Sequence, residues 1–234
     1  MVTAIMQPYF FPYIGYFQLI NAVDKFVVYD NIQYSKKGWI NRNRILSNGK
    51  DEYITLPLKK DSDYLDINHR FLSDTWEDEK QKMMNKIINS YRKSPFFSQN
   101  ISVIENILNF PGKNLFDFIY HSLSVLCDKF EISTEILISS KIDHNSRLKS
   151  EERVIAICES LNAKTYINPI GGLNLYNKDN FLRKGIQLQF LNANKTEYQQ
   201  FDNGFIPYLS IIDLLFFLPL EEIVKMIKTD FYIL

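Results

Sequence analysis

With 234 residues, 46% of them hydrophobic and 23% charged, the chain can bury a core of its own without staples. Its 27 Lys and Arg balance 27 Asp and Glu, so it lacks the basic excess of a nucleic-acid-binding surface, and nucleic acid is not an expected partner. Cys127 and Cys158 stand alone in helical patterns, with no CxxC or His/Cys cluster, which argues against structural zinc.

The first elements alternate. Val2 to Met6 is an apolar run suited to a buried strand, broken by Gln7-Pro8-Tyr9 and by Pro12. Ile14 to Ala22 reads as a helix, and Phe26 to Tyr29 as a second buried strand closed by Asp30-Asn31. A polar stretch from Tyr34 leads into a strand up to Leu46, and Asn48-Gly49 turns the chain back into Glu52 to Leu58. Ile67 to Leu72 is a further short strand by the same reading.

Thr75 to Ser90 is predicted helical, with Glu77, Asp78 and Glu79 in its first turn and Arg92-Lys93 past its end, an order that complements the helix dipole. Helices from about Ser98 to Leu108 and Asn114 to Lys129 follow. Strand and helix then alternate again: Glu135 to Ser139, Leu148 to Leu161, Thr165 to Ile167, Leu175 to Lys184 and Gln187 to Leu191. Helices near Ser210 to Phe217 and Glu221 to Lys228 close the chain.

This grammar predicts an α/β fold, a doubly wound and mostly parallel sheet with an inserted β-hairpin and a helical middle segment. The expected organisation is one domain over 1–234, with an α/β core at 1–72 and 131–192, a helical insert at 73–130 and C-terminal helices at 193–234. Met1 leads straight into the first strand, and the apolar stretches at Phe10–Ile20 and Ile211–Leu220 are too short and broken to span a bilayer, so a cytoplasmic protein is expected.

The candidate site residues follow from strand ends. In a parallel sheet ligands gather at the carboxyl edge, which singles out Gln7, Tyr9 and Asp30. Asp30 could orient a sugar hydroxyl or take a proton from an amine. Lys36, Lys37, Asn41, Arg42 and Asn43 form the densest polar cluster; Lys37 and Arg42 suit a diphosphate, and Trp39 could stack on a base or sugar. His69 is the histidine best placed to act as a base, while His121 and His144 read as structural. Gly171-Gly172 follows a strand and would let backbone approach a ligand. Asp213 reads as structural, either a helix-start residue or a buried hydrogen-bonding one. The 18 Phe and 14 Tyr either fill an aromatic-rich core or in part line a groove for flat ligands. No Walker loop, GxGxxG, HExxH or G-x-S-x-G is present, so kinase, dehydrogenase, metalloprotease and hydrolase readings lose their main support.

Four stretches carry a family resemblance. They are Met6-Gln7-Pro8-Tyr9-Phe10-Phe11-Pro12-Tyr13-Ile14-Gly15-Tyr16-Phe17, then Phe26-Val27-Val28-Tyr29-Asp30 with Lys37-Gly38-Trp39-Ile40-Asn41-Arg42-Asn43, then Tyr91 to Phe97, and a tail with Tyr198 and Leu209 to Phe216. In this order they resemble the WbqC-like family. That resemblance implies a place in bacterial surface-polysaccharide (O-antigen) biosynthesis, where some members are described as transferases adding glycine to an amino-deoxy sugar. A deeper likeness is to HIGH-type nucleotidyltransferases, whose His-x-Gly-His opens a helix where Tyr13-Ile14-Gly15-Tyr16 stands here. It implies a nucleotide-shaped pocket with Gly15 at a phosphate, and a phosphate-holding loop at Ser139-Ser140 followed by Arg147 and Arg153. Both histidines are tyrosine here, so adenylyl transfer by the usual route is not expected.

The expected function is therefore an acyl or aminoacyl transferase acting on a nucleotide-linked amino sugar. Tyr9, Tyr13 and Tyr16 would stack with Trp39, and Asp30 or His69 would assist proton removal. The donor and any cofactor are not readable. The rivals are an ATP-dependent ligase that activates an amino acid, and a silent module that binds a sugar aminotransferase.

Overall fold

Strand, helix and strand succeed one another from the N-terminus, as the apolar pattern predicts. The computed structural model describes residues 1–145, 147–201 and 204–234. In chain order the elements are β1 (Val2–Met6), α1 (Ile14–Asn21), β2 (Lys25–Val28), β3 (Arg42–Ser47), β4 (Lys50–Thr55), α2 (Trp76–Tyr91), α3 (Phe97–Leu108) and α4 (Leu115–Lys129). After them come β5 (Glu135–Ile138), α5 (Ser150–Ser160), β6 (Thr165–Pro169), α6 (Lys178–Leu182), β7 (Gln187–Ala193), α7 (Ile211–Phe217), α8 (Leu220–Thr229) and β8 (Phe231–Ile233).

The fold is α/β. Six strands form one sheet in the order β5-β2-β1-β6-β7-β8, and β3 and β4 form a separate hairpin. Five of the six strands are parallel; β8 alone runs antiparallel, along β7. Alternation along the strands splits the apolar residues between two faces. Ala4, Phe26 and Val28 enter one core with α1, the helical middle segment and the C-terminal helices. Ile5, Val27, Tyr166 and Leu188 enter a second core under α5 and Phe181 of α6. A sheet buried on both faces needs such continuous apolar strands.

Register sets the functional edge. Met6 pairs with Val28 and Val28 with Ile138, while Pro169 pairs with Leu191, so the chain leaves these strands at one end of the sheet. From β1 the order runs outward to β2 and β5 on one side and to β6 and β7 on the other. The reversal between β1 and β6 is a topological switch point, where the two connections diverge and leave a crevice.

Three details differ from expectation. Ile67 to Leu72 is not a strand: Ile67–His69 form a 3-10 turn, flanked by single bridges such as Leu58 to Leu72. The cause is Asn68, whose backbone N–H and side-chain amide both donate to Asp30 and pull the chain round. The helix expected over Leu175 to Lys184 shrinks to α6, because the Asn177 side chain accepts from the Asp179 N–H and starts it late. Strand β8 was not anticipated; three residues are too few for a period to show. The Asn48-Gly49 turn is as expected, both residues having positive φ, 51° and 74°.

Candidate functional site

The loop after β1 is shaped by its neighbours more than by its own prolines. Phe11 has φ of 42°, a left-handed backbone that a bulky residue adopts only when held there. Two side chains hold it. The Asn43 amide donates to the carbonyls of Phe10 (3.1 Å) and Phe11 (2.8 Å), and the Ser210 hydroxyl donates to Phe11 as well (2.8 Å). The Ser210 N–H also donates to the Arg44 carbonyl, and Ile211 N–H to Pro12. The hairpin and the start of α7 thus grip Phe10-Phe11-Pro12 from both sides and fix Tyr9 and Tyr13 on either flank.

Between these parts lies a crevice of about 310 Å³ at the switch point. Tyr9, Tyr13, Trp39 and Tyr208 form its aromatic walls, Asn43, Arg44 and Asn192 its polar groups, and Ile170, Gly171, Leu191 and Ala193 the rest. An apolar, aromatic cavity with a few convergent polar groups is the ordinary form of a small-molecule site. Trp39 stacks on Tyr53 with ring centroids 6.2 Å apart, and the Arg44 guanidinium covers Trp39 at 5.6 Å. Arg44 pairs with Asp51 at 2.9 Å, yet its buried Nε has no hydrogen-bond partner among the described residues.

Burial pushes the Tyr9 and Tyr13 phenols above their ordinary range, and for Tyr13 the neighbouring Tyr9 and Tyr208 phenols add to the effect. Both stay protonated at neutral pH, so each hydroxyl keeps a proton it can donate. Among the described residues no cluster of three or more His, Cys, Asp or Glu side chains could hold a metal ion.

Five sequence candidates line this crevice: Tyr9, Tyr13, Trp39, Asn43 and Gly171. The others lie around it. Tyr16 is buried beneath, its hydroxyl donating to the Gln7 carbonyl at 2.8 Å. Asn41 braces the hairpin, donating to the Leu56 carbonyl and accepting from the Tyr34 hydroxyl. Arg42 donates to the carbonyls of Gly38 and Lys37 and lies over Tyr53, while Lys37 is exposed and Lys36 pairs with Asp63.

A second group occupies the ends of β2 and β5. Asp30 is buried, with one carboxylate oxygen accepting from the Asn68 amide (2.9 Å) and the other from the Ser140 N–H (2.8 Å). The Ser139 hydroxyl donates to the Asn31 side chain. His69 is exposed on the neighbouring turn. Gly172 packs against Asn168, apart from its crevice-lining neighbour Gly171.

Sequence reasoning missed Arg44, Asn192 and Tyr208. Asn192 could have been found by the carboxyl-edge rule, since it lies near the end of β7. Arg44 lies inside β3, one residue beyond the polar cluster. Nothing local marks Tyr208, which the tail brings back across the sheet.

Gly15 has a different task from the one the nucleotidyltransferase likeness implies. A Cβ there would stand 2.4 Å from the ring of Tyr13, which folds back over the first turn of α1. The glycine makes room for that ring. Gly15→Ala is expected to displace the Tyr13 ring while leaving the melting temperature unchanged or slightly raised, since alanine favours a helix by about 1 kcal/mol over glycine. Tyr13 fluorescence or NMR shifts, measured alongside thermal melts, would separate the two effects.

The comparisons with known proteins agree in extent. The chain is 28% identical over 217 residues to the uncharacterized protein Rv1507c of Mycobacterium tuberculosis (strain ATCC 25618 / H37Rv), covering 92% of each chain. No solved structure matches it. A model of the WbqC-like protein family matches residues 7–225, so the loop after β1, the hairpin, the crevice and the start of α7 all lie inside the matched region, and the chain belongs to the WbqC-like protein family.

Proposed function

We propose that the chain binds a nucleotide-linked amino sugar in the switch-point crevice and transfers an acyl or aminoacyl group to its amine. The observation that carries this reading is the convergence of the Tyr9, Tyr13 and Tyr208 side chains with Trp39 and Arg44 around one cavity. Rings of this kind stack on the flat faces of sugars and bases, and a guanidinium adds an anion contact.

Acyl transfer needs a donor group aimed at the carbonyl oxygen as it gains charge. Protonated phenols at Tyr9 and Tyr13 would serve that purpose. In the reaction the amine nitrogen forms a bond to the acyl carbon, the bond to the leaving group breaks, and the amine proton departs with the leaving group or to water. Asp30 and His69 do not line the crevice. In this proposal Asp30 steadies the neighbouring strand ends and His69 has no chemical part.

A thermal-shift panel of UDP- and dTDP-linked amino sugars, ATP, CTP and acyl-CoA tests the reading. A ligand at a hundred times its dissociation constant adds roughly 2.7 kcal/mol, which should raise the melting temperature by about 5–10 °C. A shift with an amino-sugar nucleotide that disappears in Trp39→Ala supports it. A shift with ATP alone points to an amino-acid-activating ligase instead. Silence across the panel points to a module that binds a partner enzyme.

A further inference from the structure

A second cavity, of about 280 Å³, lies against the hairpin and shares no lining residue with the crevice. Among the residues around it are the apolar run Leu56-Pro57-Leu58 that follows β4, and Tyr34. Arg70 lines it too, although that side chain is only 4% exposed. Its backbone is fixed on both sides: the N–H donates to the Ile67 carbonyl, and the carbonyl accepts from the N–H of Leu115, the first residue of α4. The guanidinium is held as firmly. Nη1 donates to the Ser62 carbonyl (2.8 Å), Nη2 to the Lys59 carbonyl (3.3 Å), and the group lies over the Tyr34 ring, 5.0 Å from its centroid. Lys59 lines the cavity, and Ser62 stands between cavity-lining Asp61 and Asp63, so these bonds keep the charge at the cavity wall.

Carbonyl oxygens and a ring face supply partial charges only. No carboxylate among the described residues forms an ion pair with Arg70. Its Nε is buried without a hydrogen-bond partner, and each terminal nitrogen carries a second hydrogen that none of the described residues accepts. A full positive charge left in this state is costly, and an anion in the adjoining cavity relieves the cost.

The neighbouring charges decide which anion. Lys36 pairs with Asp63 at 2.7 Å and Lys59 with Asp74 at 3.0 Å, which cancels two of the cations. Lys60 and Asp61 also line the cavity, neither has an ion-pair partner among the described residues, and their charges are opposite. What remains is the single charge of Arg70, which one negative charge balances. A dianion would exceed that balance in the field of Asp61 and Asp63. We propose that this cavity binds a small aliphatic monocarboxylate, its carboxylate at the Arg70 guanidinium and its hydrocarbon part on Leu56, Pro57 and Leu58. Guanidinium and carboxylate match in charge and in planar geometry, and the apolar run gives the rest of the molecule a dry surface. The site does not depend on what occupies the crevice.

Chemical-shift titration of the full chain with butyrate, butyramide and sulfate at low ionic strength tests the site. Butyrate should bind and move the Arg70 Nε–H resonance, and butyramide, of the same shape without the charge, should do neither. Arg70→Gln should weaken butyrate about tenfold or more, and Arg70→Lys should recover part of the loss. Lys60→Gln, an exposed change, should weaken butyrate about twofold without altering the melting temperature. Absence of butyrate binding to the wild type overturns the proposal, as does unchanged affinity in folded Arg70→Gln. Sulfate bound more tightly than butyrate overturns the choice of a carboxylate. If butyrate binding is lost in Tyr208→Ala and kept in Arg70→Gln, the acid sits in the crevice and the proposal fails. Should Arg70→Gln not fold, an unmoved Arg70 Nε–H signal in the wild type together with an unchanged Lys60→Gln decides against the site.

Discussion

Asp213→Ala is expected to lower stability by about 3–5 kcal/mol, the largest single loss on the chain outside the aromatic core. Asp213 is fully buried in the first turn of α7 and accepts from the hydroxyls of Tyr91 and Tyr198 and from the Gln200 amide, each at 2.7 Å. The Tyr91 hydroxyl also accepts from the Leu46 N–H, so one carboxylate ties the hairpin, the end of α2 and the returning tail together. Alanine would leave three donors facing a void. For a domain of this size the loss corresponds to roughly 10–15 °C in melting temperature. Because the same network holds the hairpin against α7, crevice binding should weaken with it.

The pH dependence of that effect has a definite sign. Desolvation raises the Asp213 carboxyl above its ordinary 3.8, outweighing the three hydrogen bonds that pull it down. The folded state then holds the proton more tightly than the unfolded chain. The carboxyl's contribution is most favourable below the unfolded value and falls as pH rises through the folded one. Asp213→Asn, which cannot titrate, should therefore gain on the wild type as pH increases from about 4 upwards. Urea melts across that range would show it; a constant difference would mean that the carboxyl titrates as in the unfolded chain.

The glycine pair after β6 should divide stability from binding. At Gly172 a Cβ would stand 1.8 Å from the Asn168 side-chain nitrogen, and Asn168 is buried, accepting from the Tyr166 hydroxyl. Gly172→Ala must push that amide aside and break the bond, at about 2–3 kcal/mol or roughly 5–10 °C. At Gly171 a Cβ would meet nothing within 4 Å among the described residues, and the residue lines the crevice. Gly171→Ala should hold its stability to within about 0.5 kcal/mol, while its methyl group narrows the cavity and weakens the ligand several-fold. Thermal melts and titration of the same two variants decide the matter. Equal behaviour of the pair would show that the loop rearranges as a unit.

Local chemistry made much of the fold legible. The strands at Val2–Met6 and Lys25–Val28 are built on short apolar runs bounded by turn residues, Asn48-Gly49 can hardly do other than turn, and the acidic first turn of α2 marks its start. The carboxyl-edge rule then located Tyr9 and Gly171 from chain order alone, because a parallel sheet brings such strand ends to one side. The polar cluster was harder to read. Arg42 and Asn41 looked like ligand groups, but their donors are used on carbonyls of the loop and hairpin, whereas Arg44 two residues on faces the crevice. A sequence records the charge of a side chain and not where its hydrogen bonds go.

The amino-acid sequence by itself determined most of the elements, the mostly parallel α/β class, the insertion of the hairpin and the residues resembling one family. Only the tertiary structure decided which tyrosines face a cavity, why Gly15 must be small, that Tyr208 returns to close the crevice and that Arg70 is buried without a carboxylate partner among the described residues. The physical reason is range. Periodicity and turn chemistry act within a few residues, whereas the site is made by contacts such as Ser210 to Phe11 and Tyr91 to Asp213, which join segments about two hundred and more than a hundred residues apart.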